Sequence, residues 1–439
     1  MFFGARCRFG YTMRFVLDFI YLLLGTALMP VVLYRRLTQN RYKKGWQNRF
    51  GKFSKKNPNK KSIWIHAVSV GEVNAAKTII SQLKQNLPDY DIVITTTTDT
   101  GFAQANSLYQ NECDIFYFPL DFSFVIRRAY KYLNPAICLL MELEVWPNFI
   151  HTAKKLNIPV VVVNGRISQH SFSRYKKIKP LAKIMFNKLT LILAQTEEYK
   201  KRFIKIGCPA EKTFATGSLK YDTAQILDKI KGAYHLAEQL GIDDEKLLVA
   251  GGTGNDEEKI ILEVFKQIKP QFDDLRLVIV PRKPERFDHV AQLITDFGFD
   301  IVRYSLIKDG TPLPADNSQA VILGDTMGDL RKFYSLATII FVGRSLVPMG
   351  GSDMIEAAAL GKCTTFGPHT FNFNQSVDAL LKGNGAILVE DKNQLVKTIQ
   401  KCLTDTQFTE TIAHNGREVI RKNQGATKKT VEHITKLLS

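Results

Sequence analysis

Acidic residues follow two apolar runs in the first half of the chain, where a carboxylate could serve as an acid or a base. Glu72 closes the motif HAVSVGE at residues 66–72, and Glu142 and Glu144 belong to MELEVWPN at residues 141–148. Open α/β sheets place their ligand-binding residues after the carboxyl ends of parallel strands, so Glu72 is a candidate general base. Local context favours equally a carboxylate that only interacts with a helix dipole.

Glu142 and Glu144 form the second acidic candidate site. An extended backbone would place both carboxylates on one face of their strand, with Leu143 on the other face. The alternative interpretation is a strand end that carries one solvated acid.

Glycine-bearing loops and an arginine follow apolar runs in the second half of the chain. Residues 249–254 (VAGGTG), 280–286 (VPRKPER), 324–328 (GDTMG) and 343–351 each follow such a run. Backbone amides and an arginine can hold a phosphate, and a carboxylate can bind both ribose hydroxyls. Any one loop could be a plain turn, but a series of glycine-bearing loops at successive strand ends predicts a nucleotide site. Its candidate residues are Arg282, Gly324, Asp325, Thr326, Met327, Gly328, Ser352, Asp353 and Glu356.

Short apolar runs alternate with amphipathic stretches from residue 62 onward, which predicts parallel sheets of βαβ units. The predicted strands are 63–65, 92–97, 115–118, 137–141, 160–164 and 191–195, then 247–250, 277–280, 300–304, 320–323, 338–342 and 363–366. The predicted helices include 73–87, 199–206, 257–268 and 285–297. A pause at residues 218–234 separates two Rossmann-like halves, as in a GT-B type architecture with its site in the cleft between them.

The N-terminus predicts a membrane anchor. Residues 15–34 are almost all apolar, apart from Asp18 and Pro30, and eleven Lys and Arg residues without any acid follow at residues 35–61. A cleaved signal peptide is the alternative, but it carries its basic residues before the apolar run, where this chain has only Arg6, Arg8 and Arg14 against the eleven that follow. The positive-inside rule keeps the body in the cytoplasm, with a single anchor that is spanning or deeply interfacial. The basic segment predicts contact with anionic lipids, or a solvated linker, rather than nucleic acid.

The predicted organisation is therefore an anchor (1–34), a basic linker (35–61), a Rossmann-like acceptor domain (62–222), a Rossmann-like nucleotide-sugar domain (235–406) and a helical C-terminal segment (407–439). Six cysteines form no CxxC pair and have no zinc-ligand spacing with histidine, which fits a reducing compartment. A nicotinamide-dependent oxidoreductase would need GxGxxG after the first strand, where AVSVGE stands instead.

Seven motifs in order resemble the bacterial 3-deoxy-D-manno-octulosonic acid (Kdo) transferases of lipopolysaccharide synthesis. They are HAVSVGE, MELEVWPN, NGRIS (164–168), TGSLKYD (216–222), VPRKPER, GDTMGDL (324–330) and GPHTFNF (367–373). The resemblance implies a GT-B fold and transfer of Kdo from CMP-Kdo to a lipid A precursor, lipid IVA, at the inner membrane. It implies Glu72 as catalytic base, Glu142 as a second functional acid, and a CMP site that includes Arg282, the 324–328 loop and Glu356. No metal or other cofactor is expected.

Two departures from the family pattern affect the expected donor site. Ser352 and Asp353 stand where the family has His-Asn, and Gly254 stands where a His is common. An ionised aspartate accepts hydrogen bonds only and would repel a departing phosphate. Alternatives are therefore a related transferase with another nucleotide-sugar donor, such as a UDP-sugar, or another lipid acceptor. A non-catalytic nucleotide-binding relative is a further alternative, against which the retained Glu72 and Glu142 argue.

Overall fold

A computed structural model describes residues 3–38, 44–315 and 317–439, and gives two compact units. The first unit comprises Met1–Thr223 and Gln424–Ser439, and the second comprises Ala224–Asn423. The boundary at residue 223 lies within the predicted pause. The helical segment predicted at 407–439 is divided at Gln424, because its last helix packs on the first unit.

The first unit contains a seven-stranded parallel sheet of order β3-β2-β1-β4-β5-β6-β7. Its strands are β1 (Ser62–His66), β2 (Asp91–Thr96), β3 (Asp114–Tyr117), β4 (Pro135–Met141), β5 (Val160–Gly165), β6 (Leu191–Ala194) and β7 (Thr213–Ala215). Its helices are α1 (Phe3–Thr38), α2 (Trp46–Arg49), α3 (Val70–Ala75), α4 (Lys77–Asn86), α5 (Asp99–Tyr109), α6 (Ser123–Leu133), α7 (Pro147–Lys155), α8 (Gln169–Lys177), α9 (Lys179–Phe186), α10 (Glu197–Lys205), α11 (Leu219–Thr223) and α21 (Ala426–Leu438).

The second unit contains another seven-stranded parallel sheet, of order β10-β11-β9-β8-β12-β13-β14. Its strands are β8 (Lys246–Thr253), β9 (Leu275–Pro281), β10 (Ile301–Arg303), β11 (Val321–Leu323), β12 (Ile339–Val342), β13 (Cys363–Phe366) and β14 (Ile387–Leu388). Its helices are α12 (Ala233–Gln239), α13 (Glu257–Ile268), α14 (Phe287–Asp296), α15 (Tyr304–Lys308), α16 (Leu330–Leu336), α17 (Met354–Ala359), α18 (Asn374–Lys382), α19 (Lys392–Thr404) and α20 (Thr406–Asn423). Short 3₁₀ turns occupy Ala210–Lys212, Lys269–Gln271 and Pro284–Arg286.

All twelve predicted strands are present, because parallel strands covered on both faces are almost continuously apolar. β1, β5 and β9 are buried along their whole length. The sequence did not indicate β7 and β14, which are edge strands of three and two residues. The helix predicted at 73–87 is divided into α3 and α4 at Ala76.

Each sheet reverses its strand order at one place, and candidate residues follow the strands on both sides of that place. In the first sheet β2 and β4 flank β1, so residues after β1 and β4 border the reversal. In the second sheet β9 and β12 flank β8 in the same way. Such a reversal opens a crevice between the two loops, and ligands of doubly wound sheets bind there. The topology therefore explains why the motifs HAVSVGE and MELEVWPN come together.

The N-terminal helix is the one element of the described residues that is long and apolar enough to cross a membrane. Val16–Thr38 has a mean hydropathy of 2.2, and none of this stretch is buried in the protein. Two members of the basic segment that follows point into the body. The Arg49 guanidinium donates to the Thr97 carbonyl at 3.0 Å, and Lys55 is buried. Arg41 and Lys43 of the same segment lie outside the described residues.

The last helix, α21, is held on the first unit by the TGSLKYD motif. The Asp222 carboxylate accepts the backbone N–H groups of Gly425 at 2.7 Å and Thr427 at 2.5 Å, at the start of α21. The ring of His433 lies 4.8 Å from that of Phe214. The motif thus ties the end of the chain to the end of the first sheet.

Candidate functional site

Glu72 lies at the start of α3, directly after the loop that follows β1. Ser69 is the N-cap of α3, and its hydroxyl accepts the Glu72 N–H at 3.3 Å. The Glu72 carboxylate accepts the Ser69 hydroxyl at 2.9 Å and the Val68 N–H at 3.0 Å. Glu72 therefore takes part in capping α3, in an arrangement that differs from a capping box because the backbone donor is Val68 rather than the N-cap residue Ser69.

The same carboxyl also has the acidity that a general base requires. Partial burial raises the pKa of Glu72 to about 7, against the lowering effect of its bonds from Val68 and Ser69. The negative charges of Glu142 and Glu144 raise that pKa further. A carboxyl with a pKa near neutrality beside two other acids is the arrangement expected of a proton-transfer site.

Glu142 occupies a strained backbone position at the end of β4. Its φ is +55°, in the left-handed region that residues other than Gly and Asn rarely adopt. The prediction that Glu142 and Glu144 share one face of an extended strand is therefore wrong, because the chain turns at Glu142. The Glu142 N–H still donates to the Val163 carbonyl of β5 at 2.9 Å. Strain held in place by the sheet is typical of functional sites.

A contact that sequence reasoning missed joins the start of α5 to the loop that carries Glu72. The Thr98 hydroxyl caps α5 and donates to the Val68 carbonyl at 2.8 Å. Gly101, in the first turn of α5, lies so close that a Cβ there would come within 2.7 Å of the same carbonyl. The sequence TTTTDTG at residues 95–101 carried this signal, as a capping threonine followed three residues later by glycine.

His66, the first residue of the HAVSVGE motif, is structural. Its ring is completely buried, stacks on Phe118 at 3.8 Å, and has Nδ1 3.0 Å from the Thr95 carbonyl. Burial lowers its pKa to about 3. A neutral His66 therefore holds the end of β1 against β2.

In the second unit, the buried carboxylate of Glu257 organises the loop after β12. It accepts the backbone N–H groups of Ser345 at 2.9 Å and Leu346 at 3.0 Å, and those of Arg344 and Gly254. Burial raises its pKa, and these four backbone bonds oppose that effect. Sequence reasoning treated Glu257 only as the start of a helix, yet this carboxylate joins the two loops that border the strand reversal.

Arg282 and Glu356 are brought together at the carboxyl edge of the second sheet. Arg282 is exposed after β9, and its N–H donates to the Thr253 carbonyl at 3.1 Å. Burial and the Asp353 charge raise the pKa of Glu356, whereas Arg331 and Arg282 lower it. The edge therefore presents both a fixed cation and a partly buried carboxyl.

The 324–328 loop is built around an internal carboxylate. Asp325 accepts from Arg303 Nε at 2.7 Å, from the Ser305 N–H at 2.8 Å and from the Ser305 hydroxyl at 2.7 Å. These bonds point Asp325 into the protein, so that its contribution is to shape the loop. Met327 is 67% exposed, and Gly328 has a φ of +94°.

Ser352 and Asp353, two of the three positions that depart from the family pattern, have local partners. The Ser352 hydroxyl donates to the Gly252 carbonyl at 2.8 Å, and therefore crosses the strand reversal. Asp353 is the N-cap of α17 and accepts the Ile355 N–H at 3.0 Å. Aspartate caps helices as well as asparagine does, so the departure preserves the local fold while it adds a charge.

Comparison with known proteins agrees with these motifs. Residues 44–223 match the sequence model of a family described as 3-deoxy-D-manno-octulosonic-acid transferase (kdotransferase). A transferase of that name from Haemophilus influenzae is 36% identical over 397 residues, which are 89% of this chain and 91% of that protein. Another from Bordetella pertussis is 28% identical over 85% of this chain and 86% of that protein.

The chain belongs to the Kdo transferase family. Membership of this family makes it a glycosyltransferase. Its two parallel-sheet domains and its structural neighbours show a GT-B fold. A glycosyltransferase from Rickettsia africae has a TM-score of 0.58 at 14% identity, over 87% of this chain and 99% of that structure. A UDP-GlcNAc 2-epimerase from Neisseria meningitidis has a TM-score of 0.55 at 16% identity, over 86% of this chain and all of that structure.

We predict that Glu257→Ala destabilises this Kdo transferase by at least about 3 kcal/mol, because it leaves buried backbone N–H groups without an acceptor. Urea unfolding of the detergent-solubilised protein, followed by circular dichroism, would measure the loss. Glu263→Ala is the matched control, since Glu263 lies on the same helix and pairs with Lys392 at the surface. Equal stability of the two variants would contradict the role assigned to Glu257.

Proposed function

We propose that this Kdo transferase moves Kdo from CMP-Kdo to the glucosamine of lipid IVA, with Glu72 as the general base. The observation that carries the proposal is the Glu72 carboxyl beside the strand reversal of the first sheet, with a pKa raised to about 7. The matching motifs, and the relatives that bear the transferase name, support CMP-Kdo as the donor. The acceptor follows from the family resemblance of the sequence.

In the proposed mechanism, Glu72 takes the proton of a sugar hydroxyl of the acceptor. The hydroxyl oxygen then forms a bond to the anomeric carbon of Kdo, and the bond from that carbon to the CMP phosphate breaks. Burial, and to a smaller extent the charges of Glu142 and Glu144, keep the pKa of Glu72 high enough for efficient proton acceptance near neutral pH. Once protonated, Glu72 remains held by Val68 and Ser69, which fix its position for the next cycle.

The donor half of the proposal assigns the CMP to the carboxyl edge of the second sheet. Arg282 would stabilise the negative charge that develops on the departing phosphate. Glu356 would accept hydrogen bonds from the ribose hydroxyls. The 324–328 loop and Ser352 would shape the pocket, the latter through its bond to Gly252. Asp325 would act through the geometry of its loop. Asp353 would cap α17 while its negative charge opposes that of the CMP phosphate.

We further propose that the reaction needs no metal ion or other cofactor. In the described parts of the chain, no three His, Cys, Asp or Glu side chains are grouped as metal ligands. The carboxylate of Asp325, which stands in the candidate donor site, is already bonded to Arg303 and Ser305. Arg282 would then carry the electrostatic role that a divalent cation has in other transferases.

We also propose that the enzyme works on the cytoplasmic side of the inner membrane and contacts anionic lipids. The exposed apolar stretch Val16–Thr38 supports membrane attachment. The basic residues at 35–61 support contact with anionic head groups, although Arg49 and Lys55 are used inside the body.

The direct test is incubation of the detergent-solubilised full-length protein with CMP-Kdo and lipid IVA, followed by mass spectrometry of the lipid. We expect one or more Kdo mass increments, at the same rate in excess EDTA as in magnesium. No increment despite CMP binding would contradict the donor and acceptor assignment. Loss of activity in EDTA with recovery in magnesium would contradict metal independence only.

The pH dependence tests Glu72. We expect activity to fall as pH decreases below about 7, because the base becomes protonated as pH falls through its pKa. Glu142→Gln removes a negative neighbour, so it should lower the pKa of Glu72 and move this acid limb to lower pH. Glu211→Gln, an exposed acid of the same unit, is the control and should leave the limb unchanged.

Glu72→Gln keeps a hydrogen-bonding side chain at the helix start, so we expect it to fold and to lose about 10²–10⁴-fold in kcat. Thermal unfolding of the same preparation separates this loss from a capping defect. Substantial activity in Glu72→Gln would contradict the base assignment.

Asp353→Asn tests the departure from the family pattern. Asparagine keeps the N-cap bond to Ile355 and removes the negative charge beside Glu356. We expect tighter CMP binding and a severalfold lower KM for CMP-Kdo, with unchanged thermal stability. Calorimetric titration with CMP measures the change in CMP affinity. Weaker CMP binding by the variant would contradict a repulsive role for Asp353.

A further inference from the structure

Helix α1 is fastened to the catalytic body by partly buried polar contacts inside its apolar stretch. The Asp18 carboxylate accepts the Ser123 N–H at 2.9 Å, the Ser123 hydroxyl at 2.5 Å and the Asn148 side-chain amide at 3.0 Å. One turn later, the Tyr21 hydroxyl donates to Asp121 at 3.1 Å. Leu17, Asp18 and Tyr21 are half-buried, whereas their neighbours along α1 are exposed. One face of α1 is thus docked on the body.

The docking contacts are part of the framework that positions the MELEVWPN motif. Asp121 also accepts the backbone N–H groups of Asn148 at 3.0 Å and Phe149 at 2.8 Å, and therefore caps α7. The Tyr21 ring packs edge-on against Phe122, with centroids 6.0 Å apart. Asp18, which interrupts the apolar run of α1, is therefore a carboxylate whose hydrogen-bond partners lie on the body.

These contacts leave too little helix to cross a bilayer. From Tyr21 to the end of α1 at Thr38 the axis rises about 25 Å, which is less than the ~30 Å of a hydrocarbon core. The chain is again on the body at Gly45, whose backbone lies directly against the ring of Tyr117. Seven peptide units join Thr38 to Gly45, and even fully extended they reach only about 25 Å. Both ends of this stretch therefore stay on one side of a membrane.

The stretch before Asp18 does not provide a crossing either. Arg6, Arg8 and Arg14 lie there, and each arginine is costly in hydrocarbon. Basic residues thus precede the apolar stretch as well as follow it, and both sets favour the cytoplasmic side.

We propose that α1 does not cross the membrane but lies in its plane, docked through Asp18, and that α1 and α9 together insert into one leaflet of anionic lipid. This goes beyond the proposed function, on which it rests only for the association of the chain with a membrane. The partner surface is a lipid monolayer with negatively charged head groups, on the side that faces the catalytic body.

Helix α9 supplies the second half of the lipid-facing surface. Ile178, Leu181 and Ile184 are 49%, 57% and 50% exposed, and they line, with Leu17 and Tyr21 of α1, a groove of ≈ 350 Å³. The two helices therefore flank one apolar groove. An amphipathic helix with such a face and basic flanks inserts shallowly into the interface rather than across it.

The charge around α9 is complementary to anionic lipid. Residues 166–196 contain no Asp or Glu, and they carry seven cations: Arg166, Arg174, Lys176, Lys177, Lys179, Lys183 and Lys188. Those that flank the apolar face, including Lys177, Lys179 and Lys183, are exposed. A lysine near an anionic membrane surface strengthens binding roughly fivefold.

The native Cys7 thiol tests the orientation of α1 without donor or acceptor substrates. The other five cysteines are buried in the body, so a membrane-impermeant maleimide reports mainly on Cys7, with Cys7→Ser as the blank. We expect labelling in sealed inverted vesicles, whose outer surface carries the catalytic body, and none from the periplasmic side of intact cells with an opened outer membrane. Labelling from the periplasmic side alone would overturn the proposal.

Asp18→Leu tests whether the docking contacts hold this orientation. The variant loses the bonds to Ser123 and Asn148 and gains a more apolar helix, so we expect Cys7 to become labelled from the periplasmic side. Thr26→Leu, on an exposed part of α1, is the matched control and should label as the unmodified protein does. Unchanged labelling in Asp18→Leu would show that Asp18 does not hold α1 in the plane.

Vesicle flotation tests the α9 surface. We expect the purified full-length protein to bind vesicles of phosphatidylcholine with 30% phosphatidylglycerol better than phosphatidylcholine alone, and Lys177→Glu/Lys183→Glu to weaken this binding at least fivefold. Lys397→Glu, an exposed change in the second unit, should not. Equal vesicle binding by Lys177→Glu/Lys183→Glu and by Lys397→Glu would overturn the insertion assigned to α9. Failure of Kdo transfer would leave these orientation and binding results unaffected, so the two proposals fail separately.

Discussion

The reversal of strand order in each parallel sheet is the constraint on which the rest of the structure depends. Where the strand order reverses, the loops that follow the carboxyl ends of two adjacent strands turn in opposite directions. Their polar groups then border an open crevice. In the first sheet those loops bring Glu72 near Glu142 and Glu144. In the second they are joined by the Glu257 carboxylate and by Ser352. The two halves therefore use one topological solution for the candidate acid–base site and for the candidate nucleotide site.

Buried carboxylates determine how these loops behave, and they differ in how fully they are compensated. Glu257 receives four backbone N–H groups, and Asp325 receives three donors from Arg303 and Ser305. Glu72 receives two donors and faces two negative neighbours. Partial burial raises the pKa of Glu72 to about 7, whereas the bonds to Glu257 and Asp325 hold loops in place. A single residue type thus supports both architecture and chemistry, according to its neighbours.

Much of the fold could be predicted from the sequence, because a strand buried on both faces shows itself as a short apolar run. All twelve predicted strands and the helix at 257–268 are present for that reason. β7 and β14 escaped prediction, since an edge strand of two or three residues has no distinctive pattern. The break at Ala76 also lacks a glycine or proline that would mark it.

The candidate site was harder to predict than the fold. Motif positions indicated Glu72 and Arg282, but the left-handed turn at Glu142 depends on the surrounding sheet and has no local sequence signature. The role of Glu257 depends on a loop 87 residues further along the chain, so no periodicity could indicate it. Asp18 looked like a flaw in an apolar helix because its partners, Ser123 and Asn148, are more than 100 residues away.

The return of α21 to the first unit has a consequence for biosynthesis. Thr78 of α4 and the Asp222 carboxylate both bond to residues that are translated after the whole second unit. A nascent chain therefore cannot complete the first unit when its seventh strand leaves the ribosome. Part of the apolar surface under Ala426, Val431 and Ile434 stays uncovered until α21 is translated. The first half to be synthesised is thus the last to be finished, and the second can fold while the first still waits for its final helix.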